Sequence, residues 1–256
     1  LPRINRKQVS VKNLVDLSGL SELRYIKQEE GKIRIGALTT IADLEAEKNN
    51  SVWGGVLNDV AAKFGSPNIR AVATVGGNIC SASSSEDLIP VFLTLDAKVK
   101  AIRKSGVREI ALRDFLVAKR KTALHPDEIL AEVSFSEPGA RAASAFQKLG
   151  MRNTLIISFV SVATFLEADE NRSKIKCARI ALNRLSGKIP QRAEGVEKEL
   201  LGQSLDEQTI NKSSELLGNE LSLTSDTRAS VEYRCEAAKV LLRRALVQCH
   251  DRIIGK

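Results

Sequence analysis

The chain contains 256 residues, of which 43% are hydrophobic and 27% charged, and its formal net charge is +8 at pH 7. This apolar fraction excludes intrinsic disorder, and the length favours two domains or one large composite domain. The most apolar segment, residues 155–165, is interrupted by hydroxyl side chains and is much shorter than the ~20 residues that a membrane span requires. No membrane span is therefore expected.

The first 138 residues are predicted to mix strands and helices. In chain order, the patterns predict a strand at 13–18, a hairpin formed by 23–26 and 33–35, a helix after Thr39 or Thr40, a helix from Ser51 to Phe64, a helix at 88–95, a hairpin at 98–110 and a strand at 129–135. Residues 65–85 lack periodicity and are expected to form a loop. Pro138-Gly139 then interrupts the chain, so we expect one domain at 1–138 and another at 139–256.

The second domain is predicted to contain strands first and helices afterwards. Apolar patterning predicts a three-stranded antiparallel sheet formed by residues 143–149, 158–167 and 175–183. Helices are expected at about 192–201, 206–217 and 228–251, the last with Ser225 or Asp226 as its cap. This order of elements predicts an α+β fold rather than a doubly wound one.

The positive charge lies in small groups rather than in one continuous stretch. Groups such as Lys119-Arg120-Lys121 are separated by acidic residues, and aromatic residues make up 4% of the chain. Proteins that bind single-stranded nucleic acids usually combine basic with aromatic side chains. We therefore expect no nucleic-acid partner and interpret the charge as a basic surface that could contact an acidic protein chain.

The cysteines and histidines do not form a recognisable ligand set. None of the cysteines belongs to a Cys-x-x-Cys pair, and His125 and His250 lie far apart in the sequence. We therefore expect neither a metal site nor an iron–sulfur cluster within this chain. Scattered free thiols are typical of a reducing compartment, so a cytoplasmic protein is expected.

The most informative motif is Ala73-Thr74-Val75-Gly76-Gly77-Asn78-Ile79, followed by Ser81, Ser83 and Asp87. Adjacent glycines leave backbone N–H groups uncovered, and these groups together with hydroxyl and amide donors are suited to a phosphate. Asp87 could accept hydrogen bonds from the paired hydroxyls of a ribose. The same residues also fit a tight structural turn in which Asp87 merely caps the next helix, and both interpretations remain open.

No other residue set predicts direct catalysis. Lys148 could reach a flavin or a phosphate, although a solvated lysine is the simpler interpretation. Cys80 is interpreted as an inert thiol and His125 as a loop residue. No Ser-His-Asp set and no pair of acid–base carboxylates can be assembled, so no catalytic residue is predicted.

Residues 73–95 closely resemble the second FAD motif of the molybdenum hydroxylases, the family of carbon monoxide dehydrogenase and xanthine dehydrogenase. Residues 14–18, 23–26, 35–40, 127–130, 145–148 and 225–234 are similar to further family segments in the same order, so the resemblance covers nearly the whole chain. It implies a vanillyl-alcohol-oxidase-like (PCMH-type) FAD-binding domain followed by the C-terminal domain of the flavoprotein (medium) subunit.

The site residues that the resemblance implies all bind the cofactor. They are Phe64, Gly65, Ala73, Thr74, Gly76, Gly77, Asn78, Ser81, Asp87, Leu130 and Lys148. Residues 74–78 would hold the FAD pyrophosphate and neighbouring groups, and Asp87 would bind the adenosine ribose. Lys148 would reach the cofactor, unless the phase of its strand places Gln147 there instead.

The sequence departs from the family pattern at three places. Ser84 stands where proline is usual, and Glu86 stands where a small residue is usual, which adds negative charge near the pyrophosphate. In the family, an Ala-Gly-Gly-Thr-Asp-Leu type of loop supplies the first pyrophosphate motif. Because Leu1-Pro2-Arg3 resembles the residues just after that loop, part of the FAD site is expected to lie outside this chain.

The resemblance also implies partners and an electron path. A large subunit would carry molybdopterin, a small subunit would carry two [2Fe–2S] clusters, and a dimer of heterotrimers is one arrangement it suggests. Electrons would pass from the clusters through FAD to an external acceptor. Two alternatives stay open, namely a free-standing FAD-dependent oxidoreductase and a flavin-free assembly or scaffold subunit.

Overall fold

The computed structural model describes residues 2–5, 7–47, 52–150, 158–183, 189–221 and 229–255. Its N-terminal part contains a five-stranded antiparallel sheet with the strand order β1-β2-β7-β3-β4. The strands of this part are β1 (Ile26–Glu29), β2 (Lys32–Gly36), β3 (Lys98–Arg103), β4 (Gly106–Ala111), β5 (Leu116–Ala118), β6 (Lys121–Thr122) and β7 (Ile129–Ser136). Strands β5 and β6 form a separate two-stranded hairpin.

Short helices surround the five-stranded sheet. They are α1 (Pro2–Asn5), α2 (Ile41–Ala46), α3 (Val52–Ala62), α4 (Pro67–Val72), α5 (Val75–Ser81), α6 (Leu88–Thr94) and α7 (Leu112–Phe115), and a 3-10 turn covers Ser21–Leu23. Thr40 caps α2 and forms a capping box with Asp43, which fixes where this helix begins. Helix α6 is buried along its whole length, which confirms the predicted apolar helix.

The C-terminal part is a four-stranded antiparallel sheet with three helices. Its elements are β8 (Ala142–Leu149), β9 (Val160–Ala168), β10 (Ile175–Asn183), β11 (Gln191–Arg192), α8 (Glu194–Leu200), α9 (Glu207–Glu220) and α10 (Val231–Ile254). The three predicted strands are confirmed as β8, β9 and β10, but the sheet has a fourth strand, because β11 pairs with β10. Two residues are too few to show an alternating pattern, so the sequence carries no signal for this strand.

The C-terminal sheet packs between two apolar cores. Phe146 and Phe165 belong to the core that contains the N-terminal helices and sheet, whereas Ala145 and Leu166 belong to the core shared with α8, α9 and α10. Successive residues of a strand point to opposite faces, so each strand contributes to both cores. On β8, this alternation directs Lys148 to the same side as Phe146, toward the N-terminal part.

Two local predictions are wrong. Residues 13–18 form no strand: Leu14 and Val15 are exposed, and within the described ranges no strand pairs with this segment to complete its backbone hydrogen bonds. Residues 65–85, predicted to be a loop, contain α4 and α5. Ser66 and Thr74 cap these helices with their side chains, and Pro67 occupies the first turn of α4.

Side-chain caps also define the long C-terminal helices. Asp206 caps α9 and Ser230 caps α10, each by accepting a backbone N–H from the residue three positions later. The predicted caps Ser51, Ser225 and Asp226 lie outside the described residues. Within the described ranges, every helix is too short or too polar to cross a membrane.

Candidate functional site

Helix α5 begins inside the glycine motif and is tied to the segment that follows β2. Thr74 is its N-cap, and the Thr74 Oγ1 accepts a hydrogen bond from the Gly77 N–H at 3.1 Å. The Val75 N–H donates to the Thr39 carbonyl at 2.9 Å, and Thr74 forms an isolated β-bridge with Thr40. The motif is therefore the start of a short helix that is held against the sheet.

The two glycines of the motif face different surroundings. A Cβ on Gly76 would lie 2.7 Å from the Ala37 Cβ and 2.8 Å from the Ala37 carbonyl oxygen, so glycine is required for this close approach. The Gly76 N–H already donates to that carbonyl at 2.8 Å, so the uncovered N–H expected at Gly76 is not found. Gly77 is exposed, and a Cβ there would lie 2.9 Å from the Thr74 Oγ1, which is the end of a side chain. The Gly77 N–H donates to the Thr74 Oγ1 as part of the helix cap, so Gly77 offers a ligand close approach to exposed backbone rather than an uncovered N–H, whereas Gly76 serves the packing.

Asn78, Ser81 and Glu86 form a polar group that we call the Glu86 cluster. The Asn78 side-chain amide donates to one carboxylate oxygen of Glu86, and the Ser81 hydroxyl donates to the other. Burial raises the pKa of the Glu86 carboxyl to about 7, because loss of water disfavours the ionised form more than these two hydrogen bonds favour it. The Asn78 side-chain oxygen is buried and has no hydrogen-bond partner among the described residues.

Asp87 and Lys148 form a buried ion pair next to the Glu86 cluster. The Lys148 Nζ lies 2.5 Å from the Asp87 Oδ2, and the two side chains are 3% and 9% exposed, respectively. The same ammonium group donates to the Lys63 carbonyl at 3.1 Å, just after α3. Although Asp87 immediately precedes α6, its side chain makes no capping hydrogen bond. The interpretations of Asp87 as a helix cap and of Lys148 as a solvated lysine are therefore both wrong.

The phase of β8 is fixed by contacts on its two faces. The Gln147 Nε2 donates to the Gln248 Oε1 on α10 at 2.7 Å, which is on the opposite face from Asp87. Lys148, and not Gln147, is therefore the β8 residue that reaches the motif. Because α10 and Asp87 lie on different sides of the sheet, Gln147 could replace Lys148 beside Asp87 only if the register of β8 shifted by one residue.

The other predicted site residues flank these groups. Phe64 and Gly65 follow Lys63 directly, and Phe64 and Ala73 pack, partly buried, against the N-terminal core. Gly65 has a φ of +48°, a left-handed value that favours glycine. Leu130 on β7 is 7% exposed and belongs to that core rather than to the polar surface. The structure thus brings Phe64 and Gly65 next to the backbone carbonyl that binds Lys148, whereas Leu130 lies within the apolar core.

Two groups of the site are backbone atoms that the sequence could not single out. The Ala37 carbonyl binds the Gly76 N–H, and the Lys63 carbonyl binds the Lys148 ammonium. Every residue type carries a carbonyl, so no composition or motif reveals these contacts. Cys80, in contrast, agrees with its interpretation as an inert thiol, because burial raises its pKa to about 12.

The arrangement suits a ligand that combines phosphates with sugar hydroxyls. The Thr74 hydroxyl, the Gly77 backbone and the Asn78 amide are neutral groups of the kind that bind phosphate oxygens. The Asp87 carboxylate can accept hydrogen bonds from hydroxyls, and the buried Asn78 oxygen can accept one more. These residues fit a dinucleotide cofactor such as FAD, and Glu86 is the group whose charge opposes it. Across the described residues, no three His, Cys, Asp or Glu side chains converge as metal ligands would.

Comparison with known proteins supports the same assignment. The FAD binding domain in molybdopterin dehydrogenase matches residues 1–137, and the CO dehydrogenase flavoprotein C-terminal domain matches residues 144–249. The chain is 31% identical over 246 residues to the nicotinate dehydrogenase FAD-subunit of Eubacterium barkeri, which covers 94% of this chain and 82% of that protein. It is also 31% identical over 248 residues to the xanthine dehydrogenase FAD-binding subunit of Escherichia coli O157:H7, and this match covers 96% of this chain and 84% of that protein.

Solved structures agree with the sequence comparison. A chain of the Cu,Mo-CO dehydrogenase in its cyanide-inactivated form matches with a TM-score of 0.90 and 27% identity, over 98% of this chain and 86% of that chain. The fold and the motif together define a flavoprotein subunit of an oxidoreductase, with a PCMH-type FAD-binding domain. The chain belongs to the FAD-binding medium subunits of the molybdenum hydroxylase family.

Proposed function

We propose that this chain binds FAD and transfers electrons from the [2Fe–2S] clusters of a partner subunit to an external acceptor, within a molybdopterin-dependent hydroxylase or dehydrogenase. The observation that carries the proposal is the buried Asp87–Lys148 ion pair beside the glycine motif, which holds a carboxylate in position; this carboxylate would accept hydrogen bonds from a ribose. FAD, when bound, would supply the redox chemistry. The protein supplies binding and electrostatics, which agrees with the lack of a predicted catalytic residue.

Individual residues of the site have separate roles in this proposal. The Gly77 backbone, the Thr74 hydroxyl and the Asn78 amide would hold the pyrophosphate and its neighbouring groups. Asp87 would bind the adenosine ribose, and Lys148 would keep the carboxylate in place and offset the cost of burying its charge. Phe64, which lies directly after the carbonyl that binds Lys148, would line the cofactor.

The proposal includes the assembly and its compartment. We infer a complex with a large molybdopterin-binding subunit and a small iron–sulfur subunit, arranged as a dimer of heterotrimers in the cytoplasm. The four cysteines of the chain are free, which supports a reducing compartment. The basic surplus of +8 supports docking against an acidic chain.

Visible absorbance spectra of the purified full-length protein test whether it binds FAD at this site. We expect flavin bands in the wild type and their loss in Gly77→Val, which blocks backbone approach at an exposed position without touching Ala37. Asp87→Ala should also lose the flavin, because charged hydrogen bonds to the ribose disappear. Asp127→Ala is the matched control, since this carboxylate is 64% exposed, and it should retain the flavin.

Each alternative function predicts a different result. Full FAD occupancy in both folded site variants, with the fold checked by circular dichroism, contradicts the site. A full-length wild type that shows no flavin bands favours the scaffold subunit. Co-purification from the native source without chains that carry molybdopterin and iron–sulfur clusters favours the free-standing oxidoreductase.

A further inference from the structure

We propose that Glu86 competes with the FAD pyrophosphate for Asn78 and Ser81, so that FAD binding requires proton uptake by Glu86 and weakens as the pH rises. This inference rests on the proposed binding of FAD at the glycine motif. It assigns to Glu86 the control of cofactor affinity.

The hydrogen bonds of the Glu86 cluster are the first argument for competition. Asn78 and Ser81 each donate to a different carboxylate oxygen of Glu86, so both donors are engaged by one side chain. Asn78 is only 6% exposed, which leaves water little access to its amide. The Ser81 hydroxyl has one proton to donate and the Asn78 amide has two. A pyrophosphate that accepts the Ser81 proton must therefore displace a Glu86 oxygen, and one that binds Asn78 competes with Glu86 for one of the two amide protons.

The charges around Glu86 are the second argument. Asp87, the next residue in the chain, and Lys148 from β8 are the charged groups that act on it most strongly. Lys148 and Asp87 are paired with each other at 2.5 Å, so the positive charge of Lys148 mainly stabilises Asp87 and does little to stabilise an ionised Glu86. The turn between β5 and β6 contacts the segment before Glu86, because the Arg120 N–H donates to the Ala82 carbonyl at 2.8 Å. The basic side chains of this hairpin are all exposed, namely Lys119, Arg120 and Lys121. Helices α5 and α6 carry no charged side chain.

Protonation of Glu86 resolves the conflict with an anionic ligand. Burial already raises the pKa of this carboxyl to about 7, so it can gain a proton near neutral pH. A dianionic pyrophosphate nearby favours the neutral form further. Since one proton is taken up with FAD, affinity is expected to fall by up to about tenfold for each pH unit above the pKa of the free protein.

Titration of flavin-stripped full-length protein with FAD tests the inference. Quenching of flavin fluorescence gives Kd at several values between about pH 6 and pH 9, a range that brackets the Glu86 titration. We expect Kd of the wild type to rise steeply across the range, by roughly tenfold per unit in its upper part. Glu86→Gln should bind FAD with a Kd that is nearly independent of pH. Glu86→Ala should also show a nearly constant Kd and should bind FAD more tightly than the wild type, because the substitution releases Asn78 and Ser81.

A control and the contrary outcomes separate this inference from the proposed function. Glu109→Gln removes a negative charge from an exposed position on β4 and should keep the wild-type pH dependence. If both Glu86 variants keep the wild-type slope, the inference is overturned while the FAD site stands. If neither the wild type nor Glu86→Ala binds FAD at any pH, the proposed function fails and the inference falls with it. Binding by Glu86→Ala at high pH, where the wild type binds weakly, supports both.

Discussion

Glu86 and Asp87 are consecutive carboxylates with different surroundings. The Asp87 carboxylate lies 2.5 Å from the ammonium of Lys148, which β8 supplies from 61 residues away. The Glu86 carboxylate receives hydrogen bonds from two neutral donors on α5, and burial raises its pKa to about 7. One carboxylate is thus compensated by an opposite charge, whereas the other can lose its charge near neutral pH.

The difference depends on how far along the chain each partner lies. Asn78 and Ser81 are within eight residues of Glu86, so the Glu86 cluster forms from one local segment. The ion pair requires the C-terminal sheet to dock beside α3 and α6, because Lys148 comes from β8. It therefore links the two parts of the chain, while the Glu86 cluster is free to respond to a ligand.

Removal of the Lys148 cation should have the largest effect on stability, and it tests whether Asp87 depends on an opposite charge. In Lys148→Met, Asp87 loses its buried opposite charge while the apolar length of the side chain is kept. We expect a loss of about 3–5 kcal/mol in the free energy of unfolding, measured by urea denaturation. Lys176→Met is the matched control, because that lysine is 64% exposed in its pair with Glu167, and it should cost less than about 1 kcal/mol. Equal effects of the two substitutions would show that the ion pair is not structurally important.

The pH dependence of stability tests whether Glu86, unlike Asp87, loses its charge near neutral pH. The folded protein holds the Glu86 proton more tightly than the unfolded chain does, because burial raises its pKa from 4.5 to about 7. The contribution of Glu86 to stability therefore falls as the pH rises from about 4.5 to 7 and stays constant above that range. In flavin-stripped Glu86→Gln, this contribution of roughly 3 kcal/mol should disappear.

Urea denaturation of both proteins at several pH values measures this contribution as a difference. All other ionisable groups are common to both proteins, so their contributions cancel in the difference. Glu109→Gln again serves as the control, since its carboxylate is exposed and its removal should leave the pH profile unchanged. Parallel profiles for wild type and Glu86→Gln would mean that Glu86 stays ionised in the folded protein.

The sequence predicted those features that depend on neighbours along the chain. Apolar periodicity predicted α6, the β3–β4 hairpin and the long helix α10, because each pattern lies within one segment. Helix α5 was missed, because two glycines in its first turn have low helix propensity. Its start is stabilised by the Thr74 cap and by the Gly76 contact with Ala37, and the second of these depends on a distant segment.

The sequence proposes the candidate site as a set of residues, and the structure adds the contacts between them. The resemblance to the family placed Asp87 and Lys148 at the cofactor, yet a sequence does not state that a strand lysine is 3% exposed. The same holds for Glu86, which stood out as an unusual residue near a phosphate. Its hydrogen bonds to Asn78 and Ser81 follow from the direction of the loop after α5, which local patterns do not determine.

The smallest effects on stability are expected for alanine substitutions at Gly76 and Gly77, and they test whether the two glycines have different roles. In Gly76→Ala, the new methyl group would lie 2.7–2.8 Å from Ala37 atoms that include a backbone carbonyl, so the backbone must shift. We expect a loss of about 1–3 kcal/mol in unfolding free energy, which is typical of overpacking. Gly77→Ala meets the Thr74 hydroxyl, whose displacement would weaken the α5 cap. The higher helix propensity of alanine offsets this loss, so stability should change by less than about 1 kcal/mol. Urea denaturation compares the two variants, and a greater loss in Gly77→Ala would contradict the assignment of Gly76 to the packing and of Gly77 to the ligand.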